Sequence, residues 1–542
     1  VPIRPRLRAS LLKLLALCVV IISLIPTAIS QSPDATLPGR LVLVLPFENR
    51  SGDPTLNWIG DSFPDTLNQR LNSAGFLTIT RDDRQYAFDH LGLPVDFKPT
   101  RATTLRIAQT LDANYIILGN YTVENGRISV QARVLEVDRL HLSTPLEDSS
   151  PLQNLFDIEN AIAWKVARQI DPKFPVALQT FVAASGGVKL SAFENYIRGT
   201  DAPSSVERIK RLQLAVAQAQ DYSAALLALG KAQYTARQYD AAAATLARVP
   251  AADRLALEAS FYLGLARFNT AKYADAQKAF EFVASRLPLP EVVNDEAVAI
   301  SRQGRDAVPL FRQVIAADPN DADYHYNLGV ALLHRGDPKA AQTELDAALK
   351  LHPADTEAAE LKPRVDASLN LTGTPLTNAI AAGGFEPLER IRRGYSEASF
   401  RQAAFQLDQV RAMRMATLPP AEQAAQYTKL GADYLAQGLI PEAEREFLAA
   451  ISADTTNAAA HAGLAQVRER SGSEDDARAE AQTSIKVHPN APAWIVLARL
   501  DLKKDDLAAA TADVANALRI DPASGPALGM KQQLQSRGQP RP

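Results

Sequence analysis

Residues 324–353 read YHYNLGVALLHRGDPKAAQTELDAALKLHP, and the order of small and large apolar residues in this stretch returns along much of the chain. Here Leu328-Gly329 are followed by Ala341, Leu345, Ala348 and Pro353. The same frame recurs as Leu430-Gly431, Ala443, Phe447 and Ala450, then as Leu464-Ala465, Ala477, Ala481 and Pro489, and again as Leu497-Ala498, Ala510, Val514, Ala517 and Pro522. Ala443, Ala477 and Ala510 stand 34 and 33 residues apart. Two earlier units fit: Leu229-Gly230 with Ala242 and Leu246, and Leu263-Gly264 with Ala276, Phe280 and Pro288. A period of this length predicts stacked helical hairpins, each burying against its neighbour the apolar face it cannot bury alone. Gly329 and Ala341 are small so that the two helices of a hairpin can approach. Leu345 or Phe447 fills the gap to the next unit, and the proline ends the second helix.

This frame resembles the tetratricopeptide repeat. The resemblance implies six or seven units over residues 190–360 and 391–535, with the unit at 291–319 about two residues short. Gly-Thr-Pro and Gly-Gly within LNLTGTPLTNAIAAGGFEP break the frame, so residues 361–390 are expected to be a linker and 536–542 a disordered tail. Such arrays bind proteins on the concave face of their first helices, where an extended peptide or a partner helix can lie. By register that face includes Tyr326, Asn327, Val330 and His334, then Gln466, Arg470, Arg499 and Lys503. The lysine and asparagine pairing by which cochaperone repeats hold a terminal carboxylate is not reproduced at these positions.

Upstream, residues 41–172 change period. Leu41 to Phe47 is a continuous apolar run of strand length, expected of a strand buried on both faces. A helix capped by Ser62 follows, with Phe63, Leu67 and Leu71 on its apolar side and Gly75 at its end. Asn125-Gly126 between two runs rich in β-branched and aromatic residues predicts a hairpin, because both central turn residues need positive φ. Apolar residues at helical spacing then run from Leu152 to Ile170. The order of VLPFENRSGDP, WIGDSF, DANYIILGNYTVENGRISVQARVLEVD and FDIENAIAWKVARQI resembles the TolB-type amino-terminal domain. It implies a small non-catalytic α/β module of the kind found in envelope proteins and in fusions to helical repeats. Residues 173–189 are read as a linker to the first array.

The loop after the first strand could hold a contact site made by Glu48, Asn49, Asp53 and Asp61. It does not read as a phosphate loop. Only Gly52 and Gly60 are present, residues 41–63 contain no lysine, and three acids would repel phosphate.

The first 30 residues, VPIRPRLRASLLKLLALCVVIISLIPTAIS, place basic residues before an apolar run and small residues after it, as a secretory signal does; an uncleaved anchor is the alternative. Residues 31–40 are a polar spacer. The expected location is the periplasm, with no membrane span once the signal is removed. A net charge of -3 gives no basic field for nucleic acid, and the single cysteine, Cys18, lies in the apolar run. The seven histidines form no zinc spacing, and no Gly-x-Ser-x-Gly is present. No catalytic residue, cofactor or metal is expected. The expected fold is α+β multidomain: a mixed α/β sheet domain followed by an all-α tetratricopeptide superhelix. The expected function is a non-enzymatic scaffold for protein partners in the bacterial envelope, with a small-ligand sensor built on the α/β domain as the alternative.

Overall fold

In the first strand, Val42 and Val44 belong to one apolar cluster and Leu43 and Leu45 to another, so successive side chains feed two cores on opposite faces of a sheet. The computed structural model of the protein describes residues 41–93, 100–183, 188–369, 386–394 and 397–537. The expected signal peptide, the spacer before residue 41, residues 370–385 of the expected linker and the end of the tail lie outside these.

The sheet domain runs β1 (Leu41–Val44), β2 (Glu48–Asn49), α1 (Trp58–Ser73), β3 (Leu77–Thr78), α2 (Arg81–His90), α3 (Arg101–Thr110), β4 (Tyr115–Glu124), β5 (Arg127–Glu136), β6 (His141–Leu142), β7 (Leu146–Pro151) and α4 (Leu155–Ile170). Strand order is β3-β1-β4-β5-β6, with β2 also on β4 and β7 also on β5. β1 is parallel to β3 and β4, whereas β4 and β5 form an antiparallel hairpin. Its turn has φ of 51° at Asn125 and 73° at Gly126, the left-handed pair that the sequence called for. α1 and α4 cover one face through Phe63, Leu67, Ile158 and Ile162; α2 and α3 cover the other through Phe88 and Ile107.

One boundary differs from expectation. Ser62 does not cap α1, which begins at Trp58. Trp58 and Ile59 are buried in its first turn, so packing against the sheet carries the helix back past the serine. Gly60 is then required, because a Cβ there would sit 2.3 Å from the Phe47 carbonyl oxygen.

The remaining helices are α5 (Leu178–Ala183), α6 (Leu190–Asp201), α7 (Ser205–Gln218), α8 (Ser223–Thr235), α9 (Tyr239–Leu246), α10 (Ala256–Asn269), α11 (Tyr273–Ala284), α12 (Pro290–Ser301), α13 (Val308–Ala317), α14 (Ala322–His334), α15 (Pro338–Leu351) and α16 (Thr356–Ser368). After these come α17 (Glu397–Ala416), α18 (Pro420–Ala436), α19 (Ile440–Ala453), α20 (Ala458–Arg470), α21 (Glu474–Val487), α22 (Ala491–Lys503), α23 (Leu507–Ile520) and α24 (Gly525–Arg537). Consecutive helices pair as hairpins from α6 to α15 and again from α18 to α23, with α16 and α24 packed on the last pairs. Small residues sit where the frame put them: a Cβ on Gly264 would meet the Phe280 ring at 2.6 Å, and one on Gly463 the Phe447 ring at 2.2 Å.

Neither expected linker is a plain spacer where it is described. In the first, Phe181 of α5 is fully buried, and Phe174 meets it edge to face at 5.6 Å. Glu444 of the second array accepts a hydrogen bond from Ala177 N–H at 3.2 Å. In the second, α16 continues to Ser368, capped by Asp355, whose side chain accepts from Ala358 N–H at 3.1 Å. Residues 386–394 return as an extended strap against α12 and α14, where the side chains of Asn294 and Asn327 hold Arg390.

Candidate peptide-binding grooves

The first helices of neighbouring hairpins repeat the same surface position every 33 or 34 residues, so Asn294 on α12 and Asn327 on α14, 33 residues apart, stand side by side. Both are fully buried, and Asn327 Nδ2 donates to Asn294 Oδ1 at 2.8 Å. Buried amides need partners. They find them in the strap: Asn327 Oδ1 accepts from Arg390 N–H at 2.6 Å, Asn327 Nδ2 donates to the Arg390 carbonyl at 2.8 Å, and Asn294 Nδ2 donates to that same carbonyl at 3.1 Å. Two residues on, Asp295 Oδ1 accepts from Arg392 N–H at 2.7 Å. Main-chain groups are therefore gripped at alternate residues, as in strand pairing, while the side chains stay available to be read.

Those side chains meet chemistry suited to arginine. The Arg390 guanidinium lies 3.8 Å above the Tyr326 ring and bonds Asp355 with both terminal nitrogens, at 2.6 and 2.7 Å. It also reaches Asp323 at 2.7 Å and Glu357 at 2.9 Å. Arg392 lies 5.2 Å over Tyr324, pairs with Asp321, and approaches the second oxygen of Asp323 at 3.2 Å. Planar forked donors fit carboxylates and aromatic faces in a way that a lysine does not. Burial works to discharge Arg390, but Asp355, Asp323 and Glu357 outweigh it and hold the guanidinium more firmly charged. The Arg390 hydrogen bonds in turn hold Asp355 below the usual carboxylate range, whereas burial pushes Asp295 well above it.

On the other side of the strap, Glu389 is buried against Ser301, Arg302 and His334, with His334 Nδ1 at 3.4 Å. Burial pushes the Glu389 carboxyl up, but hydrogen bonds from His334 and Ser301 win and hold it low; the same contact raises His334. Ile391 packs into the adjoining apolar clusters.

The expected groove residues thus divide. Tyr326, Asn327 and His334 all contact the strap; Tyr326 and Asn327 are buried rather than open to partners as expected, whereas the His334 side chain remains 49% exposed. Val330 is fully buried in the core of the hairpins rather than on the concave face. In the second array Gln466, Arg470, Arg499 and Lys503 come together with Glu469 around an open pocket of about 380 Å³. Its cations already have internal partners. Arg499 bonds Glu469 with two nitrogens at 2.5 and 2.6 Å, Arg470 donates to the Leu435 carbonyl at 2.9 Å, and Lys503 stands 3.4 Å from Glu474.

At the α/β domain, the loop residues build a turn. Asn49 donates to the Asp53 carbonyl and to Asn57, both at 2.8 Å, and accepts from Ser51 N–H at 2.9 Å. Asp53 accepts from the Thr55 hydroxyl and amide, which hold its carboxyl low, and Glu48 pairs with Arg50 at 3.1 Å. Asp61 stands apart on α1, where burial pushes its carboxyl up against the pull of Arg81 and Arg84. Among the described residues no group of three or more acids, histidines or cysteines is placed to hold a metal.

Sequence reasoning missed Asn294, Asp295, Asp323, Asp355, Glu357 and the strap itself. The one available signal was the 33-residue interval between Asn294 and Asn327.

Family models for the tetratricopeptide repeat match residues 300–364 and 428–492, so the chain carries these repeats in both arrays. Among solved structures the chain is similar to a MamA double mutant, at 18% identity over 31% of this chain and 99% of that one, with a TM-score of 0.29. It is also similar to YrrB, titled a TPR protein with an unusual peptide-binding site, at 17% identity over 38% and 99% of the two chains, with a TM-score of 0.28. The LpoB C-terminal domain from Salmonella enterica matches at 17% identity over 22% and 86%, with a TM-score of 0.19. No curated protein sequence matches the chain.

Proposed function

We propose that the protein is a non-enzymatic scaffold of the bacterial cell envelope that takes extended segments of partner proteins on the concave faces of its tetratricopeptide arrays. The observation that carries this reading is the main-chain grip of Asn294, Asn327 and Asp295 on residues 390–392, which is how a protein surface holds a peptide of extended form. In the second array an open pocket is lined by Arg470, Arg499 and Lys503 together with Gln466 and Glu469. The TolB-type resemblance of the α/β domain and the signal-like first 30 residues support the envelope as the place of action. Among the described residues no helix is long and apolar enough to cross a membrane.

The test is in-cell crosslinking and pull-down with the tagged full chain beside a variant carrying Arg470→Glu, Arg499→Glu and Lys503→Glu. A discrete envelope partner that is lost from a variant of unchanged helicity assigns the second array as the working surface. The same partners persisting in both rejects it. Deleting residues 1–30 should leave the protein in the cytoplasm, and continued export would reject the signal reading.

A further inference from the structure

A segment that merely tied two arrays together would be expected to bury its apolar residues and leave its charges in water. Residues 386–394 follow that pattern at Pro387 and Ile391, which are covered, and at Glu386 and Arg393, which are exposed, but depart from it in between. Leu388 is 44% exposed, whereas the Glu389 side chain is fully buried and the Arg390 side chain is only 21% exposed. Each of four consecutive positions has its own receiving chemistry: Ser301, Arg302 and His334 for Glu389; Tyr326 and Asp355 for Arg390; an apolar seat for Ile391; Tyr324 and Asp321 for Arg392. One carboxylate, Asp323, is shared between the two arginines, so the groove measures their spacing as well as their charge.

We propose that the groove of the first array is a reading site for an extended partner segment of the type Glu-Arg-x-Arg, and that the chain's own Glu389 to Arg392 hold it in cis as a resident competitor. The proposal rests on reading the arrays as protein-binding surfaces and adds the ligand chemistry and its control. The asparagines supply grip that any peptide would satisfy. The aromatic faces and the carboxylates select two arginines at alternate positions, and the Ser301–Arg302–His334 corner selects the acid before them. A tethered ligand acts at an effective concentration on the order of millimolar, so a free peptide of micromolar affinity meets the wild-type groove about 100-fold weakened or more.

The experiment uses the full chain and a fluorescent peptide of sequence EPLERIRRG. The peptide should bind a chain carrying Arg390→Ala and Arg392→Ala, in which the strap has lost its guanidinium contacts, and should bind wild type more weakly by about 100-fold or more. A peptide with both arginines of Arg-x-Arg changed to alanine should not bind. Adding Asn294→Ala and Asn327→Ala to the variant should abolish binding. Failure of EPLERIRRG to bind the variant, with helicity and melting cooperativity retained, overturns the proposal. Where the double alanine variant does not fold, Arg390→Lys with Arg392→Lys keeps the charges, removes the forked contacts, and is read the same way. Wild-type chains that dimerise by exchanging the strap, in sedimentation abolished by the same substitutions, would assign the groove to a second copy and overturn the partner reading. Peptide binding without any envelope partner in the pull-down would reject the scaffold and leave the groove chemistry standing; the converse result would do the opposite.

Discussion

Asn327 and Arg390, 63 residues apart, are joined through both main-chain groups of the arginine: the amide side chain accepts from N–H at 2.6 Å and donates to C=O at 2.8 Å. One buried side chain thus replaces a strand neighbour for a segment that has none. Asn327→Ala leaves the Arg390 N–H without its partner and should cost about 1–3 kcal/mol. Asn294→Ala removes the 3.1 Å contact to a carbonyl that Asn327 still serves, the acceptor of one Asn327 amide hydrogen at 2.8 Å and a 3.2 Å bond to Asp295, but leaves both main-chain groups of Arg390 held, and should cost less. Urea denaturation of the two variants checks the order; an equal cost would mean that the amide pair acts through packing alone.

The close approach of helices in the second array gives a second prediction. The Phe447 ring is wedged between Gly431 and Gly463, where added Cβ atoms would lie 2.9 and 2.2 Å away. The ring is buried and cannot retreat, so Gly463→Ala should destabilise by about 1–3 kcal/mol despite its helix propensity gain. Gly329→Ala meets Leu345 at 3.2 Å, where a small shift suffices, and should be close to neutral. Thermal melts of the two variants should separate clearly.

Phe181 tests whether residues 173–189 are a spacer. Its ring is fully buried beside Phe174, and neighbouring Thr180 lies 3.3 Å from Ser471 of the second array. Phe181→Ala should therefore cost about 3–5 kcal/mol, as truncation of a buried aromatic does. A variant with wild-type stability would restore the linker reading.

What could be read from the sequence followed from how local its cause is. Ala443, Ala477 and Ala510 recur because each hairpin solves the same packing problem, and Asn125-Gly126 marks its turn because only such residues take φ near 51° and 73° cheaply. The strap has no such signature. Its partners, Asp295, Asp323, Asn327 and Asp355, lie 35 to 97 residues away, and nothing within the segment repeats or alternates to announce them. Asn327 was recognisable as a concave-face residue, but Asn294 was hidden because its hairpin is short, with helices of 12 and 10 residues and a longer turn between them that blurs the register. The α1 start was misplaced because Ser62 has the chemistry of a cap and is used instead inside the core.

That core use gives the last prediction. Glu159 of α4 is fully buried against α1, contacting Ser62 Oγ and accepting from Thr66 Oγ1 at 2.7 Å. Ser62 has one hydroxyl hydrogen, for which the Ile59 carbonyl, 2.8 Å from Ser62 Oγ, competes with the Glu159 carboxyl, so hydrogen bonding supports a buried Glu159 carboxylate only in part. Burial accordingly pushes Glu159 up to about 8, against hydrogen bonds from Ser62 and Thr66 that favour the ion and with the nearby Asp65 adding to the rise. The folded state then holds a proton that the unfolded chain has released above about pH 4.5. The sign follows: this contribution is full below pH 4.5, declines as pH rises, and levels off above pH 8, a loss on the order of a few kcal/mol. Glu159→Gln keeps a neutral donor and cannot ionise. Denaturation at pH 5, 7 and 8.5 should show the wild type losing stability relative to Glu159→Gln across that range, while Asp295, also raised by burial but not among the groups acting on Glu159, affects both chains alike. Parallel profiles would mean that Glu159 is ionised in the folded chain as in the unfolded one across this range, and would reject a neutral carboxyl in the core.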